Sequence, residues 1–253
     1  MLTRAEDIVV ITITVGCSLV TMLVLNRYWP VSQRKMHNDL IGWQLTVLGT
    51  TYAVIIGFML YTVWTDYGAA TVNATQEASQ VVKLHRLAAG LPEPQQSGMR
   101  ELTVAYVDAV LNKEWPQMAQ GKVPTESDEI SRRMWRTLMS VKGGSYSETN
   151  AVDHSLYELS TLMACRQTRQ LQVTSQLPGV LWSVLWVGGV LTLFSACMFG
   201  QESLLMHGIH VFAFSLLIAL VLVAIGDIDR PYMGAVRVDN TPFTRALIDM
   251  QPE

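Results

Sequence analysis

Polar side chains flank long apolar segments at two places in this sequence, and their types are those that contact ions or cap helices. His37, Asn38 and Asp39 come directly before one apolar segment, and Asp227 and Asp229 come directly after another. An Asn or Asp before a helix caps exposed amides and places negative charge at the positive end of the helix dipole. Capping is therefore the favoured interpretation of Asn38 and Asp39. Contact with an inorganic ion is the functional alternative for all five residues.

Two histidines, His207 and His210, stand three residues apart at the start of a further apolar segment. Imidazoles at this spacing share a helix face and could bind one metal ion, but only Glu202 lies nearby in sequence as another ligand. Histidines packed at a helix interface are the more common explanation of such a pair. We therefore predict no metal site and no cofactor.

No catalytic set of nucleophile, base and orienting group can be assembled from this sequence. Its five histidines are scattered, and its three cysteines, Cys17, Cys165 and Cys197, form neither a CxxC pair nor a disulfide framework. We expect a protein that is not an enzyme, with a membrane hydrolase built from acidic residues as the remaining alternative. A formal net charge of −3 without a basic face argues against a nucleic acid partner.

Four long apolar segments must position these side chains. They cover residues 8–25, 40–64, 180–199 and 206–226. About 20 apolar residues in a helix cross a lipid bilayer and satisfy their own backbone groups there. The sequence therefore predicts an all-α, four-pass protein of the cell membrane, with the bilayer as its first partner.

A polar stretch of more than a hundred residues separates the two pairs of apolar segments. We predict four parts: a first transmembrane pair (1–65), a helical extramembrane domain (66–178), a second transmembrane pair (179–226) and a C-terminal tail (227–253). No proline lies between Asp39 and Ala89, which predicts one continuous helix there.

Capping signals and hydrophobic spacing divide the predicted extramembrane domain into helices. Thr125 with Asp128 resembles a capping box, and Ser147 could cap the last helix of this domain. In that last helix the residues expected on the buried face are Val152, Leu156, Leu159 and Met163.

The second apolar segment carries small residues four apart. Gly49, Ala53 and Gly57 form a small-residue ridge, a pattern that lets two membrane helices approach closely. This ridge predicts helix packing.

A second set of residues lies about 100° around the same helix. We call it the polar–aromatic stripe: Thr50, Val54, Phe58, Tyr61 and Thr62. Such a set could line a narrow pore, for which several subunits would be needed, because one four-helix chain encloses little space. Packing against neighbouring helices is the alternative explanation.

Several motifs in this sequence resemble those of a known family. Residues 57–67, GFMLYTVWTDY, are similar to the second helix of bestrophins, and residues 229–234, DRPYMG, are similar to the acidic-x-Pro-Phe-Gly turn of that family, with Tyr232 in place of phenylalanine. The fuller combination, which spans nearly the whole chain, resembles the bacterial bestrophin-like domain family: residues 37–39 (HND), 90–92 (GLP), 114–116 (EWP) and 229–238.

The resemblance implies a homo-oligomer, a pentamer in bestrophins, that conducts anions across the bacterial inner membrane with Phe58 at the neck of its pore. The chain departs from the bestrophin pattern at Thr50 and Val54, where bulkier residues are usual. The acidic run that binds calcium in animal bestrophins is missing as well, and Asp227 with Asp229 are too few to fill a calcium shell. A non-conducting scaffold or sensor, whose helical domain binds a protein partner, is the alternative function.

The basic residues leave two questions open. Arg27, Arg34 and Lys35 in the first loop indicate a cytoplasmic loop, which would put the helical domain outside, whereas the resemblance to bestrophins implies a cytosolic domain. Four further basic residues could form an anion vestibule or belong to solvated helix faces: Lys83, Arg86, Arg166 and Arg169.

Overall fold

The computed structural model describes residues 4–142 and 144–251, and these form helices and short connections without any strand. The predicted all-α fold is thereby confirmed. The predicted outer boundaries at residues 1 and 253 lie outside the described residues. By its contacts the chain divides into two units: Met1–Thr65 with Gln176–Asp229, and Asp66–Ser175 with Arg230–Glu253. We call them the membrane unit and the helical unit.

The helices in chain order are α1 Arg4–Tyr28, α2 Val31–Lys35, α3 Asn38–Leu87, α4 Gln95–Ala109, α5 Trp115–Met118, α6 Asp128–Met139, α7 Tyr146–Thr174, α8 Gly179–Met198, α9 Leu204–Ile228 and α10 Thr241–Asp249. A 3₁₀ turn, Ala88–Gly90, follows α3, and a π-helical turn, Val110–Glu114, joins α4 to α5. Among the described residues, four helices are long and apolar enough to cross a membrane: α1, α3, α8 and α9.

In the membrane unit, α1, α8 and α9 pack against one another, with the α1–α9 contact the most extensive. The backbone of α3 makes no comparably close approach to them. Only 11% of the most apolar window of the α3 span is buried, the same share as in α1, against 33% in α8 and in α9. The membrane part of α3, like α1, therefore leaves most of its apolar surface uncovered by the rest of the chain.

Helix α3 is a single helix of 50 residues, as the absence of proline predicted. Beyond Thr65 its buried face includes the small residues Ala70, Ala74 and Ala78. Alanine has the highest helix propensity of the amino acids. This part of α3 contributes one side of the core of the helical unit.

The core of the helical unit also takes side chains from α4, α6, α7 and α10, among them Met99, Met134, Leu159 and Phe243. The edge of the Trp115 ring meets Tyr232 at a centroid distance of 5.7 Å, and Phe243 lies 5.5 Å from Trp115. The segment after residue 229 thus packs into this core through Tyr232 and Phe243.

The π-helical turn before Trp115 has a local cause. Proline at position 116 has no amide hydrogen, and in a regular helix its ring would clash with the carbonyl four residues earlier. The Trp115 amide instead bonds to the carbonyl of Val110, five residues back. The wider turn accommodates the proline and leaves Glu114 fully buried in the core.

Three local predictions for the helical unit are wrong. Helix α6 has Ser127 rather than Thr125 at its N-cap, and α7 is capped by Ser145 with Glu148 in a capping box rather than by Ser147. The third is Met163, which is exposed, whereas the rest of the predicted α7 face is confirmed: Leu159 is buried, and Val152 and Leu156 are half-buried against the core. The residues that are buried there are Ser155, Leu159, Leu162, Cys165, Arg166, Arg169 and Val173.

Candidate functional site

All members of the polar–aromatic stripe lie on the exposed surface of α3. Val54 is 53% exposed, Phe58 64% and Tyr61 69%, and Thr50 and Thr62 are exposed as well. Side chains this exposed contribute little to packing within one chain. The stripe is therefore available to face lipid, another subunit or a pore.

The chemistry of this surface is apolar and weakly polar. From Leu40 to Thr65, α3 carries no aspartate, glutamate, lysine, arginine or histidine. The hydroxyl of Thr62 donates to the carbonyl of Phe58 at 2.9 Å, and that of Thr65 donates to Tyr61 at 2.9 Å. These two threonine hydroxyl hydrogens are used within the helix, which leaves methyl groups, aromatic rings, oxygen lone pairs and the phenolic hydroxyl of Tyr61 on the surface.

The small-residue ridge makes no close contact among the described residues. A Cβ added at Gly49 or Gly57 would meet nothing within 4 Å, and Ala53 is exposed. If the ridge packs against a helix, that helix belongs to a second chain. Its role in helix packing stays a prediction.

The close approach of α3 within the chain lies at Tyr52, which the sequence analysis missed. Its ring packs on Gly188 and Gly189 of α8, where an added Cβ would come within 2.6 Å and 2.9 Å of Tyr52 atoms. The Tyr52 hydroxyl donates to the carbonyl of Leu185 at 2.8 Å. The adjacent glycines inside an apolar segment were the available signal, because small residues mark helix contacts in membranes.

Asn38, a member of the first candidate ion-contact group, connects the start of α3 to Gly200. Its amide nitrogen donates to the carbonyl of Gly200 at 2.9 Å, and its amide oxygen accepts from the Gly200 amide at 2.8 Å. Both polar atoms of this side chain are engaged with the connection between α8 and α9. His37 and Asp39 are exposed beside it.

We expect Asn38→Ala to destabilise the membrane unit by about 1–3 kcal/mol, since both backbone groups of Gly200 lose their partner. Unfolding of the purified protein in mixed detergent micelles would measure this. Asp39→Ala is the matched control, and an equal loss in both variants would contradict the assignment.

The second candidate group lies at the other end of the membrane unit. The Asp229 carboxylate accepts from the Leu177 amide at 2.7 Å and from the Trp182 indole at 3.4 Å, so it holds the beginning of α8, whereas Gly200 follows its end. A helix of 20 residues is about 30 Å long. The structure therefore does not bring residues 37–39 together with Asp227 and Asp229 into one site.

Arg34 is a fully buried cation that the sequence analysis placed in a loop. Its guanidinium donates to the carbonyl of Cys197 at 3.3 Å and to the side chain of Asn26, so it joins the last turns of α8 and α1. Each helix C-terminus carries roughly half a negative charge, which offsets the charge of this arginine.

A second group of buried charges lies in the helical unit. Arg169 makes a two-pronged ion pair with Glu77, at 2.7 and 3.0 Å, and a third contact with Glu114 at 2.6 Å. All three side chains are fully buried. The Tyr106 hydroxyl donates to Glu77 at 2.6 Å, and Glu114 also accepts from the Ser127 amide at 2.8 Å. We call this set the buried ion-pair network.

The electrostatics of the network favour its charged form. Burial alone would raise the pKa of Glu114, but Arg169 and hydrogen bonds from Ser127 more than compensate and lower it below the usual range. Burial, reinforced by Glu77, raises the pKa of Tyr106 well above its ordinary value. The carboxylate therefore stays ionised and the phenol stays neutral at physiological pH.

The network rules out an anion vestibule made of the four basic residues. Arg169 belongs to the network, and buried Arg166 donates to the Ser127 hydroxyl at 2.5 Å and pairs with Asp128. Lys83 and Arg86 are exposed instead, with Lys83 3.7 Å from Glu158. The two α7 arginines therefore neither form an anion vestibule nor lie on a solvated helix face, so both predictions are wrong for them.

Among residues 4–142 and 144–251, no group of three or more His, Cys, Asp or Glu side chains is placed to hold a metal ion. The model of the Bestrophin-like domain family matches residues 12–243. The chain belongs to the Bestrophin-like family. No curated protein matches the sequence.

Solved structures agree with the fold of this Bestrophin-like protein. A crystal structure of a variant of a bacterial bestrophin homologue from Klebsiella pneumoniae matches with a TM-score of 0.67 and 14% identity, over 95% of this chain and 98% of that chain. A second variant of the same homologue gives a TM-score of 0.63 and 14% identity, over 98% and 100% of the two chains. At such low identity the likeness establishes the shared fold alone.

Proposed function

We propose that this Bestrophin-like protein forms a homo-oligomeric ion channel in the bacterial inner membrane and conducts anions along a pore lined by α3. The resemblance to bestrophins favours a pentamer. The observation that carries the proposal is the exposed polar–aromatic stripe, with Phe58 64% exposed on the apolar part of α3. Transport, rather than catalysis, is the activity that such a surface can perform.

Assembly about α3 is supported by how little of this helix the chain itself covers. Its small-residue ridge is open, and its stripe of exposed side chains lies beside that ridge. In a symmetric ring each copy presents the same two surfaces. The ridge would then meet a neighbouring subunit and bring the stripes of successive subunits around one axis.

A pore with this lining would contain an apolar constriction at Phe58. Constrictions of this kind gate by excluding water, whereas charged rings select ions by their sign. Since α3 carries no ionisable group apart from tyrosine between Leu40 and Thr65, anion preference would be set outside this stretch. We expect Thr50 and Val54 to leave the pore wider than Phe58 does.

We expect Phe58→Ala to increase the current through the purified protein in a planar bilayer under a potassium chloride gradient, because the variant removes the bulkiest side chain of the stripe. Reversal near the chloride equilibrium potential supports an anion channel, and reversal near that of potassium contradicts it. Phe212→Ala is the matched control, since Phe212 is an exposed phenylalanine of α9. Its current should equal that of the parent.

Two other outcomes would overturn the proposal. Silence of both the parent and Phe58→Ala, with the oligomer intact by light scattering, would favour a non-conducting scaffold or sensor. Loss of the oligomer in Phe58→Ala would assign the stripe to subunit packing rather than to a pore.

A further inference from the structure

A cavity of about 360 Å³ lies at the end of the membrane unit where α9 begins. Apolar side chains, including Leu45 of α3 and Phe214 of α9, form most of its wall. Its polar groups are the imidazoles of His207 and His210 and the amide of Gln201. The proposed conduction path uses none of these three residues.

The hydrogen bonds of the two imidazoles assign their protons. His207 Nε2 lies 3.3 Å from the carbonyl oxygen of Ala196, and His210 Nδ1 lies 2.8 Å from that of Met206. A carbonyl oxygen only accepts, so each of these nitrogens carries the proton. The other nitrogen of each neutral ring, His207 Nδ1 and His210 Nε2, therefore offers a lone pair.

The lone pair on His207 is unusual because its side chain is only 3% exposed. Within the described part of the chain, Nδ1 of this residue has no hydrogen-bond partner. Leaving a buried polar atom unsatisfied costs about 1–3 kcal/mol. A ligand that accepts this lone pair would remove that cost.

Histidines that bind metals almost always donate their other ring N–H to a carbonyl or carboxylate, which fixes the ring and its tautomer. Both His207 and His210 have this arrangement, and they stand one helical turn apart on α9. We propose that His207 Nδ1 and His210 Nε2 bind a divalent transition-metal ion of the Zn²⁺ class in this cavity. The Gln201 carbonyl oxygen and solvent would complete the coordination.

The chemistry of the ligands selects the class of ion. Imidazole nitrogen suits Zn²⁺, Ni²⁺ and Cu²⁺, whereas Ca²⁺ and Mg²⁺ require several oxygen ligands. With only two imidazoles the site resembles an open site rather than a closed structural one. Arg34 lies at the same end of α8, but the carbonyls there offset its charge.

The test is a titration of tag-free protein in detergent with Co²⁺, whose visible absorption reports nitrogen coordination, followed by displacement with Zn²⁺. We expect His210→Ala and His207→Gln each to weaken binding by at least about tenfold. Glutamine at 207 can still donate to the Ala196 carbonyl but has no counterpart of Nδ1. His154→Ala, at an exposed position of the helical unit, should bind as the parent does.

Absence of a nitrogen-coordinated Co²⁺ spectrum in the parent would overturn the site. Unchanged affinity in His210→Ala would also overturn it, and this exposed residue can be replaced with little risk to folding. The readout is binding alone, so it is independent of whether the protein conducts.

Discussion

Arg169→Met is expected to destabilise the helical unit by about 3–5 kcal/mol, the usual result of removing one partner from a buried ion pair. The variant retains most of the side-chain volume but leaves the carboxylates of Glu77 and Glu114 buried without their counter-charge. Thermal unfolding followed by circular dichroism, together with limited proteolysis of the helical unit, would measure the loss.

Arg136→Met provides the matched control, because Arg136 pairs with Glu129 at 2.5 Å while both side chains are largely exposed. Exposed pairs contribute about 0–1 kcal/mol, so this variant should behave almost like the parent. Replacing Glu77, Glu114 and Arg169 together by apolar residues should recover part of the stability. A triple variant as unstable as Arg169→Met would show that the lost packing, not the unpaired charge, is responsible.

Gly188→Ala should be a strongly destabilising single-methyl change in the membrane unit. The new Cβ would come within 2.6 Å of Tyr52 Cδ2 and 2.8 Å of Cε2, so the ring must move. Overpacking of this kind costs about 1–3 kcal/mol, and loss of the bond from the Tyr52 hydroxyl to Leu185 would add about 1 kcal/mol. Unfolding in mixed detergent micelles is the appropriate measurement.

A double-mutant cycle with Tyr52→Ala isolates this contact. Once the ring is absent, Gly188→Ala should lower the free energy of unfolding only slightly. The double variant should therefore lose less stability than the sum of the two single variants. Gly16→Ala in α1 is the control, since an added Cβ there meets nothing within 4 Å. Additive effects of Gly188→Ala and Tyr52→Ala would refute the contact.

The fold was predictable because a long apolar segment identifies a membrane helix by itself. This identification requires no information about the helices that the segment contacts. The continuity of α3 followed from the absence of proline over its length. Neither inference depends on which residues meet across the fold. That is why both are confirmed while the finer assignments in the helical unit are not.

The α7 face shows where the pattern failed. A search for apolar periodicity selected Met163, whereas the buried series includes Arg166 and Arg169. Arginine looks like a surface residue until its partners are known. Here the partner of Arg169 lies 92 residues earlier, at Glu77, and no local spacing reveals a contact at that separation.

The candidate sites show the same difference between what one helix reveals and what contacts between distant residues decide. Helical spacing was enough to place the polar–aromatic stripe on one exposed surface of α3, but its role depends on a second chain and stays a prediction. The contact of Asn38 with Gly200 joins residues 162 positions apart, and the contact of Tyr52 with Leu185 joins residues 133 positions apart. Asn38 is recognisable from its position directly before an apolar segment, but its partner Gly200 is not.

The order of residues in the buried ion-pair network has a consequence for synthesis on the ribosome. Glu77 and Glu114 are made first, and Arg169 follows Glu114 by 55 residues. At a synthesis rate of about 5–20 residues per second, both carboxylates are present for several seconds before Arg169 is made. During that time they remain hydrated rather than buried, so the core of the helical unit cannot close before the second half of α7 has left the ribosome.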